Sequence, residues 1–198
     1  MGLLRNRGLT DDERARVPPG QHVVRDFPVL HAASIARTSP AEWGFRAWGL
    51  VEHPRSWDYG EFRALPTVTQ TCDIHCVTTW SKLDTSWTGV AMSWLLDQVR
   101  PLPTVTHVIA HAEEGYTANF PLSAIQDDDV MLAYRFEGEE LAPEHGGPLR
   151  LLVPKLYFWK SAKWLRGMEF VDRDQPGYWE RLGYSNTADP WQEERFAF

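Results

Sequence analysis

Prolines and glycines interrupt this chain throughout its length. Fourteen of each are spread over 198 residues. Proline fixes φ and lacks an amide donor, whereas glycine loosens the backbone. The pattern predicts many turns and short elements rather than long helices. With 43% apolar and 24% charged residues, the chain can still bury a sizeable core, and its length suits one domain.

Charge narrows the function classes. Twenty Lys and Arg stand against 27 Asp and Glu, a net charge of -7. That balance lacks the basic footprint of a nucleic-acid binder and any polybasic membrane patch. No run approaches the ~18–20 apolar residues of a membrane span. The first 21 residues show no apolar stretch followed by a small-residue cleavage site, so they do not read as a signal peptide. Two cysteines make no disulfide framework. The expectation is a soluble cytoplasmic protein.

Ten tryptophans supply large flat apolar surfaces, each with one N–H donor. They suit a β-rich aromatic core or a rigid pocket around a flat ligand. Residues 1–16 read as a polar N-terminal arm, ordered only if docked, with the domain running over 17–198. Strands are predicted over 43–51, 66–77, 104–110, 115–122, 130–136, 149–153 and 164–171. Val90, Trp94, Leu95 and Val99 recur near 3.6 residues and predict a helix stopping before Pro101. A helical turn is expected after Pro121. Short helices are expected from Pro176 to Gly183 and from Asp189-Pro190. The fold class is α+β, one domain with mixed β-sheets and short helices.

Cys72-Asp-Ile-His75-Cys76 gathers two thiols and an imidazole. A zinc site on Cys72, His75 and Cys76 with a distant fourth ligand is one reading. A redox dithiol is a second and inert packing a third. In the fourth, one thiolate ligates a soft, redox-active metal. Cys76, at the end of a strand where pockets form, is then the ligand.

The segment Asp73-Ile-His-Cys76-Val-Thr-Thr-Trp80-Ser81, with Trp87-Thr-Gly89-Val90 after it, resembles the molybdopterin-binding domain of the sulfite oxidase family. Three later segments extend the resemblance: His145-Gly-Gly-Pro-Leu-Arg150, Lys160-Ser161-Ala-Lys163-Trp164, and Pro176-Gly-Tyr-Trp179-Glu ahead of Gly183-Tyr184. It is similar above all to the compact bacterial branch that includes the periplasmic methionine sulfoxide reductase catalytic subunit.

The resemblance implies a single molybdopterin carrying molybdenum, with Cys76 as metal ligand and Tyr184 beside the metal oxo group. It implies that His145, Arg150 and Lys163 hold the pterin phosphate, and that Ser161 and Trp164 contact the cofactor largely through backbone. Trp80, Trp87 and Trp179 are read mainly as core.

The implied activity is two-electron oxygen-atom transfer on a small S- or N-oxo substrate. Neither the haem domain nor the dimerisation domain of eukaryotic members is in this chain, so a separate electron-transfer partner is implied. The family's arginines around sulfite find no match near Cys76, where His75, Thr78 and Lys82 stand. Reduction of sulfoxides or N-oxides is therefore expected to run at least as fast as sulfite oxidation. The alternative is a non-catalytic zinc-stabilised binding module on Cys72, His75 and Cys76.

Overall fold

The structure is a computed structural model describing residues 8–32 and 34–197. The helices α1 (Asp11–Ala15), α2 (Tyr59–Arg63) and α3 (Met92–Val99) are all short. The strands are β1 (His22–Val23), β2 (Gly44–Gly49), β3 (Arg55–Asp58), β4 (Val68–His75), β5 (Trp80–Ala91), β6 (His107–Ala112), β7 (Thr117–Pro121), β8 (Met131–Phe136), β9 (Glu139–Glu140), β10 (Arg150–Leu152) and β11 (Leu165–Val171). The α+β expectation holds.

Two mixed sheets result. One runs β1-β5-β8-β10, with β4 also on β5 and β9 on β8; the other runs β3-β2-β11-β6-β7. The β1–β5 and β11–β2 pairs are parallel, and the other pairs are antiparallel.

Alternation along β8 shows how the first sheet is buried on both faces. Leu132 and Tyr134 join the main core with Phe45, Leu95 and Phe170. Met131 and Ala133 point the other way, into a second cluster with Ile74, Trp80, Trp87 and Phe158. Successive strand side chains face opposite sides, so β8 serves both cores. α3 closes the first core through Met92, Leu95 and Val99, and ends where Arg100 turns left-handed at φ 50.

Residues 80–91 form one twelve-residue strand, and the helix expected to stop before Pro101 follows it over Met92–Val99. Two expectations are corrected. The segment after Asp189 is a turn rather than a helix: the Asp189 carboxylate accepts from Trp191 N at 2.8 Å, and its carbonyl accepts from Glu194 N. The helix expected from Pro176 is reduced to a 3-10 turn at Glu180–Leu182, closed by Gly183 at φ 92.

The arm is docked where it is described. Thr10 and Glu13 form a capping box at α1. Arg16 then bonds Asp73 at 2.9 Å and Asp84 at 2.9 Å, on neighbouring strands β4 and β5. Residues 1–7 of the arm lie outside the described residues.

Candidate active site

β4 ends at His75, and Cys76 begins a tight turn back into β5. Cys76 N donates to Trp80 O at 2.8 Å and Thr79 N donates to Cys76 O at 3.0 Å, with Thr79 at φ 75. The turn aims Cys76 Sγ into a cavity of about 300 Å³. Thr78 Oγ1 donates to that sulfur at 3.2 Å. Burial pushes the Cys76 thiol up; hydrogen bonds from Thr78, then the charges of Arg195 and Lys163, pull it back.

Cys72 is placed differently. A β-bulge between Cys72 and Ile74 breaks the alternation that would put both cysteines on one face. The Cys72 sulfur lies against Thr85 Oγ1, and burial pushes its thiol up to about 12. His75 Nδ1 bonds Ser81 Oγ at 2.8 Å, and burial lowers its pKa to about 4. Among the described residues, no group of three or more His, Cys, Asp or Glu side chains could hold a metal ion. The zinc reading therefore fails: bulge and burial send Cys72 and His75 to separate hydroxyl partners.

Arg150 opens β10 and is 1% exposed. It faces the second cluster, with its guanidinium carbon 4.1 Å from the Phe158 ring centre and 5.5 Å from that of Trp87. Nη1 donates to His145 O at 2.6 Å and Nη2 to Ser161 O at 2.8 Å. The Nε atom is buried without a hydrogen-bond partner. Among the described residues no carboxylate forms an ion pair with this guanidinium, and burial lowers its pKa to about 9. The fork thus organises two loops of its own chain while its charge stays uncompensated.

Ser161, Lys163, Trp164 and Tyr184 line the same cavity. The Ser161 hydroxyl accepts from Val153 N at 2.9 Å. Lys163 Nζ donates to Leu30 O at 2.8 Å and to Glu144 O at 2.7 Å. Burial, then repulsion from Arg150, lowers the Lys163 pKa to about 7. Trp164 sits at φ 52, with its indole N–H on Pro143 O at 2.7 Å.

His145 is set back from the cavity wall: its ring stacks on Phe27 at 4.0 Å, and its Nδ1 is buried without a hydrogen-bond partner. Gly146 lets the loop after His145 approach Lys163 closely. It stands at φ +108, and a side chain there would meet Lys163 Cβ at 2.9 Å.

Tyr184 lies between Trp159, Trp179 and Phe196, with ring centres 4.8–5.4 Å away. Trp179 therefore lines the cavity as well as packing.

Sequence reasoning missed several contributors. The strap over residues 24–32 carries Phe27 onto His145, and His31 onto Trp164 at 5.6 Å. Gln21 Nε2 donates to Cys76 O at 3.0 Å, and Arg195 Nη1 donates to Val77 O at 2.5 Å. These contacts span 55 and 118 positions, so no local spacing announces them.

A family described as oxidoreductase molybdopterin binding domain matches residues 31–179. The chain is 45% identical over 188 residues to the "Uncharacterized oxidoreductase YuiH" of Bacillus subtilis (strain 168), covering 94% of this chain and 95% of that one. It is 27% identical over 161 residues to the protein-methionine-sulfoxide reductase catalytic subunit MsrP of Gluconobacter oxydans (strain 621H), covering 72% of this chain and 51% of that protein. The crystal structure of the sulfane dehydrogenase SoxCD from Paracoccus pantotrophus shares the fold: TM-score 0.66, 22% identity, 89% of this chain and 56% of that chain.

The site fits the cofactor this family carries. A buried guanidinium lacking a carboxylate, and a lysine discharged by its neighbourhood, both gain from an anion. The chain belongs to the oxidoreductase molybdopterin-binding domain family of sulfite oxidase type, as a molybdopterin-dependent oxidoreductase whose cofactor carries molybdenum.

Proposed function

We propose that the protein reduces a small neutral sulfoxide or N-oxide, with Cys76 as the molybdenum ligand and Tyr184 beside the reacting oxygen. One observation carries the reading. Among the described residues, Cys76 is the one thiol at the cavity wall, which it shares with aromatic rings and with Arg150 and Lys163, two basic groups whose charged forms burial disfavours. The cations suit an anionic cofactor, and the wall of Trp159, Tyr178, Trp179 and Tyr184 suits an uncharged substrate.

When bound, the molybdenum centre supplies oxygen-atom transfer coupled to two electrons. Arg150 and Lys163 compensate the anionic phosphate, and Ser161 and Trp164 shape the cradle beside it. His145 supports that cradle from behind, through the carbonyl that Arg150 holds. Tyr184 donates its phenolic proton in a hydrogen bond to the substrate oxygen, where negative charge develops. The aromatic wall keeps water from the polarised S–O or N–O bond.

Reduction consumes two electrons and two protons and releases the deoxygenated substrate and water. The electrons come from a separate donor protein. Among the described residues no helix is long and apolar enough to cross a membrane. Both cysteines are free thiols, which suits a reducing, cytoplasmic setting.

The test compares dimethyl sulfoxide and trimethylamine N-oxide reduction by a reduced dye with sulfite oxidation by an artificial acceptor. We expect reduction to match or exceed sulfite oxidation per molybdenum. Fast, tight sulfite turnover overturns the substrate assignment. Cys76→Ser should abolish activity and keep the fold, whereas an active Cys76→Ser enzyme removes Cys76 as ligand. Tyr184→Phe should keep its molybdenum and lose roughly 10²-fold in rate, the lower end for one lost oxyanion donor.

A further inference from the structure

The segment 195–197 zips onto 183–185, on either side of Tyr184. Ser185 N donates to Arg195 O at 3.2 Å, Ala197 N donates to Gly183 O at 3.0 Å, and Tyr184 and Phe196 form an isolated β-bridge. The Arg195 backbone is therefore tied to the residue next to Tyr184. Its side chain goes the other way. Nη1 donates to Val77 O, on the residue that follows Cys76, at 2.5 Å. The guanidinium lies 5.1 Å from the Tyr157 ring centre, and the side chain is 17% exposed.

Its nearest carboxylate, on Glu193, is 3.8 Å away and half exposed. Gln21 holds the adjoining Cys76 carbonyl from the opposite end of the chain. No other residue among those described joins the cysteine turn to the Tyr184 segment by both its backbone and its side chain.

We infer that Arg195 is a positioning residue that fixes the distance between Cys76 and Tyr184 and sets a positive charge behind the cysteine turn. This inference rests on the reading of Cys76 and Tyr184 given above. A ligand and a hydrogen-bond donor on separate loops hold a productive geometry only if something ties the loops together. Tight positional tolerance at reacting centres makes such a tie worth rate rather than affinity. The guanidinium contacts neither cofactor nor substrate space directly, since it does not line the cavity.

The test uses the molybdenum-loaded enzyme with dimethyl sulfoxide and a reduced dye, and compares wild type, Arg195→Ala, Arg195→Lys and Cys76→Ser. Arg195→Ala should keep its molybdenum and hold KM within about twofold, while kcat falls roughly tenfold, the scale of a small misplacement. Its molybdenum midpoint potential should drop, because a fixed positive charge that favours the reduced centre is gone. Arg195→Lys should restore the potential and leave kcat several-fold low, since an ammonium cannot reproduce the planar fork. In cofactor-free protein, Arg195→Ala should slow alkylation of Cys76 relative to Cys72 at fixed pH, because a charge that favours the thiolate is gone.

A purely structural role would lower the thermal midpoint and leave turnover per molybdenum and potential at wild-type values; that result overturns the inference. So does loss of molybdenum with unchanged turnover per remaining metal. If Arg195→Ala does not fold, Arg195→Lys decides: wild-type kcat rejects the proposal. An active Cys76→Ser enzyme would instead sink the underlying reading, independently of Arg195.

Discussion

Arg150 and Lys160 are both buried cations, ten positions apart, and they meet opposite surroundings. Lys160 is 0% exposed and fully matched: its ammonium lies 2.7 Å from Glu180 and donates to Asn119 O at 2.8 Å and Asn119 Oδ1 at 3.1 Å. Asn119 in turn donates to Asp174 and Asn186. Burial lowers the Lys160 pKa, and Glu180 opposes that. Arg150 is as deeply buried but is matched only by carbonyls and ring faces. A charge matched inside its own fold reports architecture, whereas one left unmatched beside a cavity reports what the cavity is built to receive.

The sharpest way to break this contrast is Lys160→Met. It strands Glu180, whose side chain is 3% exposed, so unfolding free energy should fall by about 3–5 kcal/mol, read by denaturant melts of cofactor-free protein. Equal stability would show that the pair is dispensable. Arg150→Met should do the reverse: a smaller stability change in cofactor-free protein, and weaker cofactor retention. Loss of one buried charge-assisted partner is worth about 1.5–3 kcal/mol, roughly ten- to a hundredfold in affinity. Molybdenum and pterin content after dialysis measures it, and full retention would refute the assignment of Arg150 to the anion.

Lys163 sharpens the comparison by pH. Its folded pKa of about 7 lies below the ordinary 10.5. Between those values the unfolded chain holds a proton that the folded chain lacks. Cofactor-free stability should therefore rise with pH across about 7 to 10.5, and Lys163→Met should flatten that rise. Cofactor retention should move oppositely and weaken as pH climbs through 7, because the anion needs the charged amine. The smallest effect belongs to Cys72→Ser, away from the cavity wall. Molybdenum content and turnover should stay near wild type, and a loss as large as that of Cys76→Ser would revive a shared role for both thiols.

Much of the fold was legible because short-range chemistry decided it. Proline and glycine marked the turns, period-2 runs marked β6, β7, β8, β10 and β11, and the spacing of Leu95 and Val99 marked α3, whose buried face also carries Met92. What escaped was either local but unread or non-local. The capping box of Asp58 and Glu61 that starts α2 stands in the sequence. The continuous β5 was hidden because its residues also suit a helix toward one end, and pairing with β1, β4 and β8 decided for strand. Cys76 stood out through its neighbours, yet Phe27, Gln21 and Arg195 reach the site across more than fifty positions. His145 was visible as a motif residue, but its retreat behind Phe27 depends on a strap without a pattern of its own.

The bond from Arg195 to Val77 also imposes an order in time. A nascent chain folds from its N-terminal side as it emerges, so Gln21 can engage Cys76 while much of the chain is still being made. The second clasp needs another 118 positions of polypeptide. Until that length has left the ribosome, the cysteine turn is held on one side only.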